Sequence, residues 1–163
     1  MPFFNMDSPI GNLQIQVENQ KVTEVEFRPK KHKTPSNCNT ADREIFELCQ
    51  QQLIEYFNGK RTSFDLPVEL RGTEFQKSVW KQLEKIPFGK TISYKELAIQ
   101  IGNPLSVRAV GAANGKNPVS IIIPCHRVIG SNGSLTGYGG GIERKEWLLE
   151  HEQKLASGVN LLF

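Results

Sequence analysis

Apolar and polar positions alternate near the start of the chain. Leu13, Ile15 and Val17 are separated by Gln14 and Gln16, a two-residue period that predicts a half-buried strand. Phe3 and Phe4, ahead of a Ser8-Pro9-Ile10-Gly11-Asn12 turn, and Val22 to Phe27, after Glu18-Asn19-Gln20, predict strands that form hairpins with it. The period then lengthens. Ile45, Phe46, Leu48, Cys49, Leu53 and Phe57 recur at helical spacing between Asp42 and Phe57, and Asn58-Gly59 provides a stop. The intervening Arg28 to Thr40 is polar, basic and proline-containing, so it reads as a loop.

From Gly72 the helical pattern returns in shorter pieces. Thr73-Glu74-Phe75-Gln76 and Ser93-Tyr94-Lys95-Glu96 both read as capping boxes. Phe75, Val79 and Leu83 mark the buried face of the first helix. The second starts at Tyr94 and stops at Gly102, Asn103-Pro104 turns the chain, and another short helix covers 107–115. Two short helices around a tight turn are a helix-turn-helix candidate. The second of them, VRAVGAANG, is built almost wholly of small residues. Close helix packing explains that composition. So does a DNA minor groove, about 6 Å wide, which admits a helix only if its outer face lacks bulk; Arg108 would be its one long side chain. Val119 to Ile123 is a continuous apolar run and predicts a buried strand ending at Pro124. Gly130 to Gly141 holds six glycines in twelve residues. It lacks the lysine of a phosphate-binding loop and suits close backbone approach to a flat ligand. A last helix begins at Ile142, with Trp147, Leu148 and Leu149 inward.

Composition narrows the class. The 163 residues carry a net charge of +3, and the basic excess is local: residues 71–116 hold eight basic side chains against three acidic. A basic region suits a polyanion. No apolar run reaches the roughly 20 residues of a membrane span, and the N-terminus does not read as a secretory signal. The expected setting is the cytoplasm, on the nucleoid when bound to DNA. Three cysteines, with no C-x-x-C and no ligand spacing to the three histidines, argue against a disulfide framework and a metal site.

The chemistry converges on IPCHRVIG, residues 123–130. A nucleophilic cysteine must be a thiolate, and His126 beside Cys125 is a candidate base. Neighbours on an extended segment point to opposite faces, so the pair needs a bend or an intervening water. Glu152 or His151 would orient the imidazole, and only one of them can face it. Read this way alone, a buried spectator cysteine beside a structural histidine remains the commoner arrangement.

Pro124-Cys125-His126-Arg127-Val128 resembles the active-site signature of the O6-alkylguanine-DNA alkyltransferases. Asn103-Pro104, Val107-Arg108-Ala109-Val110-Gly111, Asn117-Pro118-Val119, Tyr138-Gly139-Gly140-Gly141 and Lys145-Glu146-Trp147-Leu148-Leu149 with His151-Glu152 follow in the same order and spacing. The resemblance covers Gly72 to Leu155. It implies an α+β chain: an N-terminal RNase H-like β-sheet and helix domain over 1–70, then a mostly helical, winged-helix-like domain with a helix-turn-helix over 71–163 that binds DNA and transfers the alkyl group. The implied partner is double-stranded DNA carrying O6-alkylguanine, met by a monomer whose cooperativity on DNA stays open. No membrane, cofactor or metal is implied.

The resemblance also assigns roles. Cys125 takes the alkyl group from guanine O6, and less efficiently from thymine O4, once only. His126 takes the thiol proton through water, with Glu152 as its acidic partner. Tyr94 eases departure of the base, and Asn117 ties the recognition helix to the active-site segment. Arg108 replaces the flipped nucleotide, and Ala109, Ala112, Ala113 and Gly115 face the groove. Tyr94, Val128, Tyr138, Gly139 and Gly140 line the pocket. Gly139 stands where some relatives have serine, and Ser120 where some have proline, which bears on bulky alkyl groups. Two rivals remain: a lesion sensor that binds without transferring, and a thiol hydrolase, which leaves Arg108 and the small-residue helix without a purpose.

Overall fold

The computed structural model describes residues 3–30 and 38–158. The middle of the basic 28–40 loop therefore lies outside the described residues. The chain divides into two compact units, one of residues 1–71 with Pro118–Ile122, the other of 72–117 with 123–163.

The first unit is a sheet packed on one helix. Strands β1 (Phe3–Met6), β2 (Leu13–Glu18) and β3 (Lys21–Phe27) form an antiparallel meander, with Ile15 opposite Phe4 and Val25. The β2–β3 turn places Asn19 and Gln20 at φ 49° and 62°, the left-handed pair of a tight hairpin. Helix α1 (Thr40–Phe57) is capped by the Asn39 side chain on the Asp42 amide and ends at Asn58. Phe46, Cys49, Leu53 and Phe57 are buried as their spacing predicts, but Leu48 is 40% exposed. Phe4 stacks on Phe46 across the helix–sheet layer, ring centroids 4.1 Å apart.

The predicted strand over Val119–Ile123 does not form. Val119 makes one parallel bridge to Val25, with the Ser120 amide donating to the Val25 carbonyl at 2.9 Å. The chain then turns on itself. Ile121 sits at φ 72°, and the Ile122 amide donates back to the Ser120 carbonyl at 2.8 Å. A β-branched residue is strained there. The apolar run marks burial, which the sequence pattern does not distinguish from extension.

The second unit is mostly helical. Helices α2 (Glu74–Leu83) and α3 (Tyr94–Gln100) both begin in complete capping boxes, at Thr73/Gln76 and Ser93/Glu96. A turn with Gly102 at φ 81° joins α3 to α4 (Val107–Gly115), completing the helix-turn-helix. Trp80 anchors α2 to α4 by donating its indole N–H to the Ala113 carbonyl at 2.8 Å. Two short strands, β4 (Ile92–Ser93) and β5 (Val128–Ile129), pair in parallel, and α5 (Ile142–Ala156) closes the unit. Among the described residues no helix is long and apolar enough to cross a membrane.

Candidate active site

Cys125 lies in a tight bend. Pro124 has φ −82° and ψ 63°, and the Cys125 amide donates to the Ile123 carbonyl at 2.8 Å, a three-residue turn. Cys125–Arg127 continue as one turn of 3₁₀ helix, which β5 follows. Successive side chains on such a turn point about 120° apart, so Cys125 and His126 diverge. The turn is helical where the sequence suggested an extended segment.

His126 and Arg127 both reach Glu152 on α5. The His126 Nε2–H donates to Glu152 Oε2 at 2.6 Å, since a carboxylate only accepts. Arg127 donates from Nε to Oε1 at 2.8 Å and from Nη2 to Oε2 at 3.1 Å, and its Nη1 holds the Ile86 carbonyl at 2.7 Å. All three side chains are buried. Burial alone would push the Glu152 carboxyl up; the hydrogen bonds from His126 and Arg127, with the Arg127 charge, outweigh it and hold the group well below the usual carboxylate range. Burial pushes the His126 imidazolium down despite Glu152, so the ring rests neutral. Its Nδ1 is then an unprotonated acceptor, buried without a hydrogen-bond partner among the described residues. Of the two α5 candidates, Glu152 is the partner. His151 stacks on Trp147 at 4.8 Å instead.

Around the sulfur, burial pushes the Cys125 thiol up, countered by the Asn117 side chain and the Lys145 charge. Asn117 also donates to the Ile123 carbonyl at 2.7 Å, and Asn114 to the Cys125 carbonyl at 3.2 Å. Both asparagines belong to the α4 end of the chain, so they tie that helix to the cysteine segment. Lys145 is wholly buried and its ammonium donates to the carbonyls of Val128 (2.6 Å) and Thr136 (2.9 Å) and to the Tyr94 hydroxyl (3.4 Å). Desolvation brings it down to about 8. Tyr94, at the start of α3 directly after β4, donates to the Thr136 carbonyl at 2.7 Å. Gly137, at φ 70°, is required beside it: a Cβ would lie 3.2 Å from the tyrosine oxygen. Tyr138 and Val128 are buried, Gly140 is half-buried and Gly139 is exposed.

On α4, Arg108, Ala109 and Ala112 are exposed and Gly115 is half-buried. Ala113 corrects the sequence reading. It is buried with Val110 and Asn114 on the inward face, where Trp80 bonds its carbonyl. Sequence reasoning assigned no role to Asn114 or Lys145. A signal existed for the lysine: Lys145, Leu148 and Glu152 fall three and seven residues apart, one buried face of α5. Among the described residues no cluster of His, Cys, Asp and Glu could hold a metal ion.

Comparison with known proteins matches two family models. Residues 74–154 match the 6-O-methylguanine DNA methyltransferase DNA binding domain, and residues 5–70 its ribonuclease-like domain. The methylated-DNA–protein-cysteine methyltransferase of Mycobacterium tuberculosis is 48% identical over 158 residues, 97% of this chain and 96% of that protein. The one from Methanosarcina barkeri is 46% identical over 91% of this chain and 94% of its own. Among solved structures, Mycobacterium tuberculosis OGT in complex with DNA superposes with a TM-score of 0.84 at 47% identity, covering 94% of this chain and 93% of that one.

Proposed function

The chain belongs to the 6-O-methylguanine DNA methyltransferase family, and from that premise we propose that it repairs duplex DNA directly, moving an alkyl group from guanine O6 to the sulfur of Cys125. It is a methylated-DNA–[protein]-cysteine S-methyltransferase that binds DNA and works once per molecule, because a thioether has no route back to the thiol. The observation that carries the site assignment is the Cys125–His126–Glu152–Arg127 arrangement with the free His126 Nδ1.

The geometry suits the reaction as follows. Arg127 keeps Glu152 ionised, and Glu152 fixes the His126 proton on Nε2. Nδ1 is left to accept the thiol proton, through a water because the two side chains diverge. The thiolate attacks the O6 alkyl carbon as the C–O bond breaks, and the electron pair passes to the purine. That anion is a poor leaving group, so Tyr94 supplies its proton. The target O6 is out of reach within the stack, so the nucleotide flips into the pocket of Tyr94, Val128, Tyr138, Gly139 and Gly140. The exposed Arg108 fills the gap, with Ala109, Ala112 and Gly115 admitting α4 to the minor groove. Thymine O4 is the lesser substrate. The protein acts as a monomer in the cytoplasm, where its DNA lies.

The test offers duplex DNA with a labelled methyl on guanine O6. One equivalent of label per protein should appear on the Cys125 peptide, and none on Cys38 or Cys49. Label that stays on the DNA, or many turnovers per molecule, overturns the assignment. Arg108→Ala should slow transfer from duplex roughly 10- to 100-fold, and transfer from the free alkylated base less than about threefold, since only the duplex has a gap to fill. Equal loss on both substrates removes the finger role.

A further inference from the structure

Leu105 is 97% exposed, far beyond the next large apolar side chain among the described residues, Ile99 at 53%. The fold holds it out rather than leaving it loose. It stands in the turn between α3 and α4, where Pro104 fixes the backbone ahead of it. The Ser106 amide and hydroxyl both donate to the Asn103 carbonyl, at 3.0 and 2.7 Å, and close the turn around Pro104 and Leu105. The Ser106 carbonyl then accepts the Val110 amide at 2.9 Å, so α4 starts directly behind it. The leucine is presented by a closed turn and contributes nothing to the core.

Single exposed apolar side chains are ordinary on a protein surface; the place of this one is not. Arg108 follows three residues later, exposed, and Ala109 and Ala112 continue the exposed side of α4. All of them lie in the stretch 71–116 that carries the basic excess, and within residues 74–154, which match the DNA binding domain. The occupant that fits is duplex DNA. A leucine in the middle of α4 would hold the helix off a groove about 6 Å wide; one placed ahead of its first residue, Val107, does not. Proteins that enter the minor groove press apolar side chains, leucine among them, against base steps while basic ones read the groove. We propose that Leu105 is a DNA-contact residue that packs into the minor groove beside the gap that Arg108 fills, adding affinity for duplex that does not depend on salt. This rests on the minor-groove reading above. Arg108 replaces the flipped nucleotide; Leu105 holds the neighbouring step and displaces water from it, so its contribution is apolar burial rather than charge.

The experiment measures binding of unmodified duplex, where no transfer competes, across a salt series for wild type, Leu105→Ser and Leu105→Met. Leu105→Ser is expected to weaken binding about three- to tenfold, as partial burial of one leucine side chain implies, and by the same factor at every salt concentration. The slope of log K against log salt should match the wild type, since losing a phosphate contact would flatten it by about 0.9. Leu105→Met, apolar and of similar volume, should keep nearly all the affinity. Transfer from O6-methylguanine duplex at sub-saturating protein should fall in step with binding, while transfer from the free alkylated base should change less than about twofold, since the free base has no groove. Binding by Leu105→Ser as tight as wild type overturns the proposal. So does a flatter salt slope, which would make the residue part of an electrostatic contact. Equal slowing with duplex and free base overturns it too, since Leu105 would then act through the fold. A dimer of the free protein that Leu105→Ser dissolves overturns it in favour of a second copy of the chain. Wild-type protein that binds duplex but fails to demethylate it sinks the transfer reading and leaves the binding arm to decide on Leu105, whereas normal wild-type transfer with unaltered Leu105→Ser binding sinks only this inference.

Discussion

Cys125→Ser should bind O6-methylguanine duplex as the wild type does and transfer nothing measurable. The exchange is nearly isosteric in a buried position, and the hydroxyl can keep the Asn117 contact, so folding and DNA affinity have no reason to change. The chemistry does change. The attacking species is the thiolate, and a serine hydroxyl is far harder to ionise beside a neutral imidazole. Removing an enzymatic nucleophile costs up to roughly a million-fold in rate, which in a single-use protein means no labelled product over any practical time. Cys49 is the internal control. Burial alone pushes its thiol up to about 12, with no neighbour to counter it, so it stays protonated and inert at pH 7. Cys38 is partly accessible, and its thiol donates to its neighbour's carbonyl. Retained transfer in Cys125→Ser, or label on either other cysteine, contradicts the site. Unchanged transfer after Cys38→Ser is expected alongside.

Local chemistry was legible in the sequence, and long-range polar pairing much less so. The capping boxes at Thr73 and Ser93 involve residues three apart, and both form as read. The hairpins of the first unit follow from alternation and a two-residue turn. Val119–Ile123 misled because apolarity reports burial, while the backbone there is bent by a positive φ at Ile121. Leu48 misled in the opposite direction, since a helical stripe drawn one residue too wide reaches solvent. At the site, a partner for His126 was foreseeable from the need for an acid, and the choice between His151 and Glu152 turned on which face of α5 points inward. Lys145 was passed over because lysine normally lies in water, and here three acceptors receive its ammonium. Asn114 belongs to a helix whose small residues drew attention to its outer face, while its polar group faces inward.

Glu152→Gln is expected to destabilise the protein by about 3–5 kcal/mol, the cost of breaking a buried ion pair from one side. Glu152 receives the Arg127 Nε–H, the Arg127 Nη2–H and the His126 Nε2–H. A glutamine has one acceptor oxygen for these three donors and adds two protons of its own, leaving the Arg127 charge unpaired in a buried site. For a chain of this length the loss lowers Tm by roughly 6–20 °C, at 2–4 °C per kcal/mol. Arg127→Met with Glu152→Leu should recover most of that stability, because a buried pair can often be exchanged for apolar packing. It should not recover transfer, because His126 then has no acceptor to hold its proton on Nε2. The acid side follows with the same sign. A carboxyl held low in the folded protein contributes stability that is complete above its ordinary value near 4.3 and is lost as pH falls below it. The buried neutral His126 adds a loss that begins higher, as pH falls through about 6.5, where only the unfolded chain takes the proton. Wild-type Tm should therefore decline from about pH 6.5 downward and steepen below about 4.5; in the double variant the steeper part should flatten. A Glu152→Gln protein that melts within about 1 kcal/mol of wild type and transfers at the wild-type rate would show that the buried network neither holds the fold nor readies the histidine.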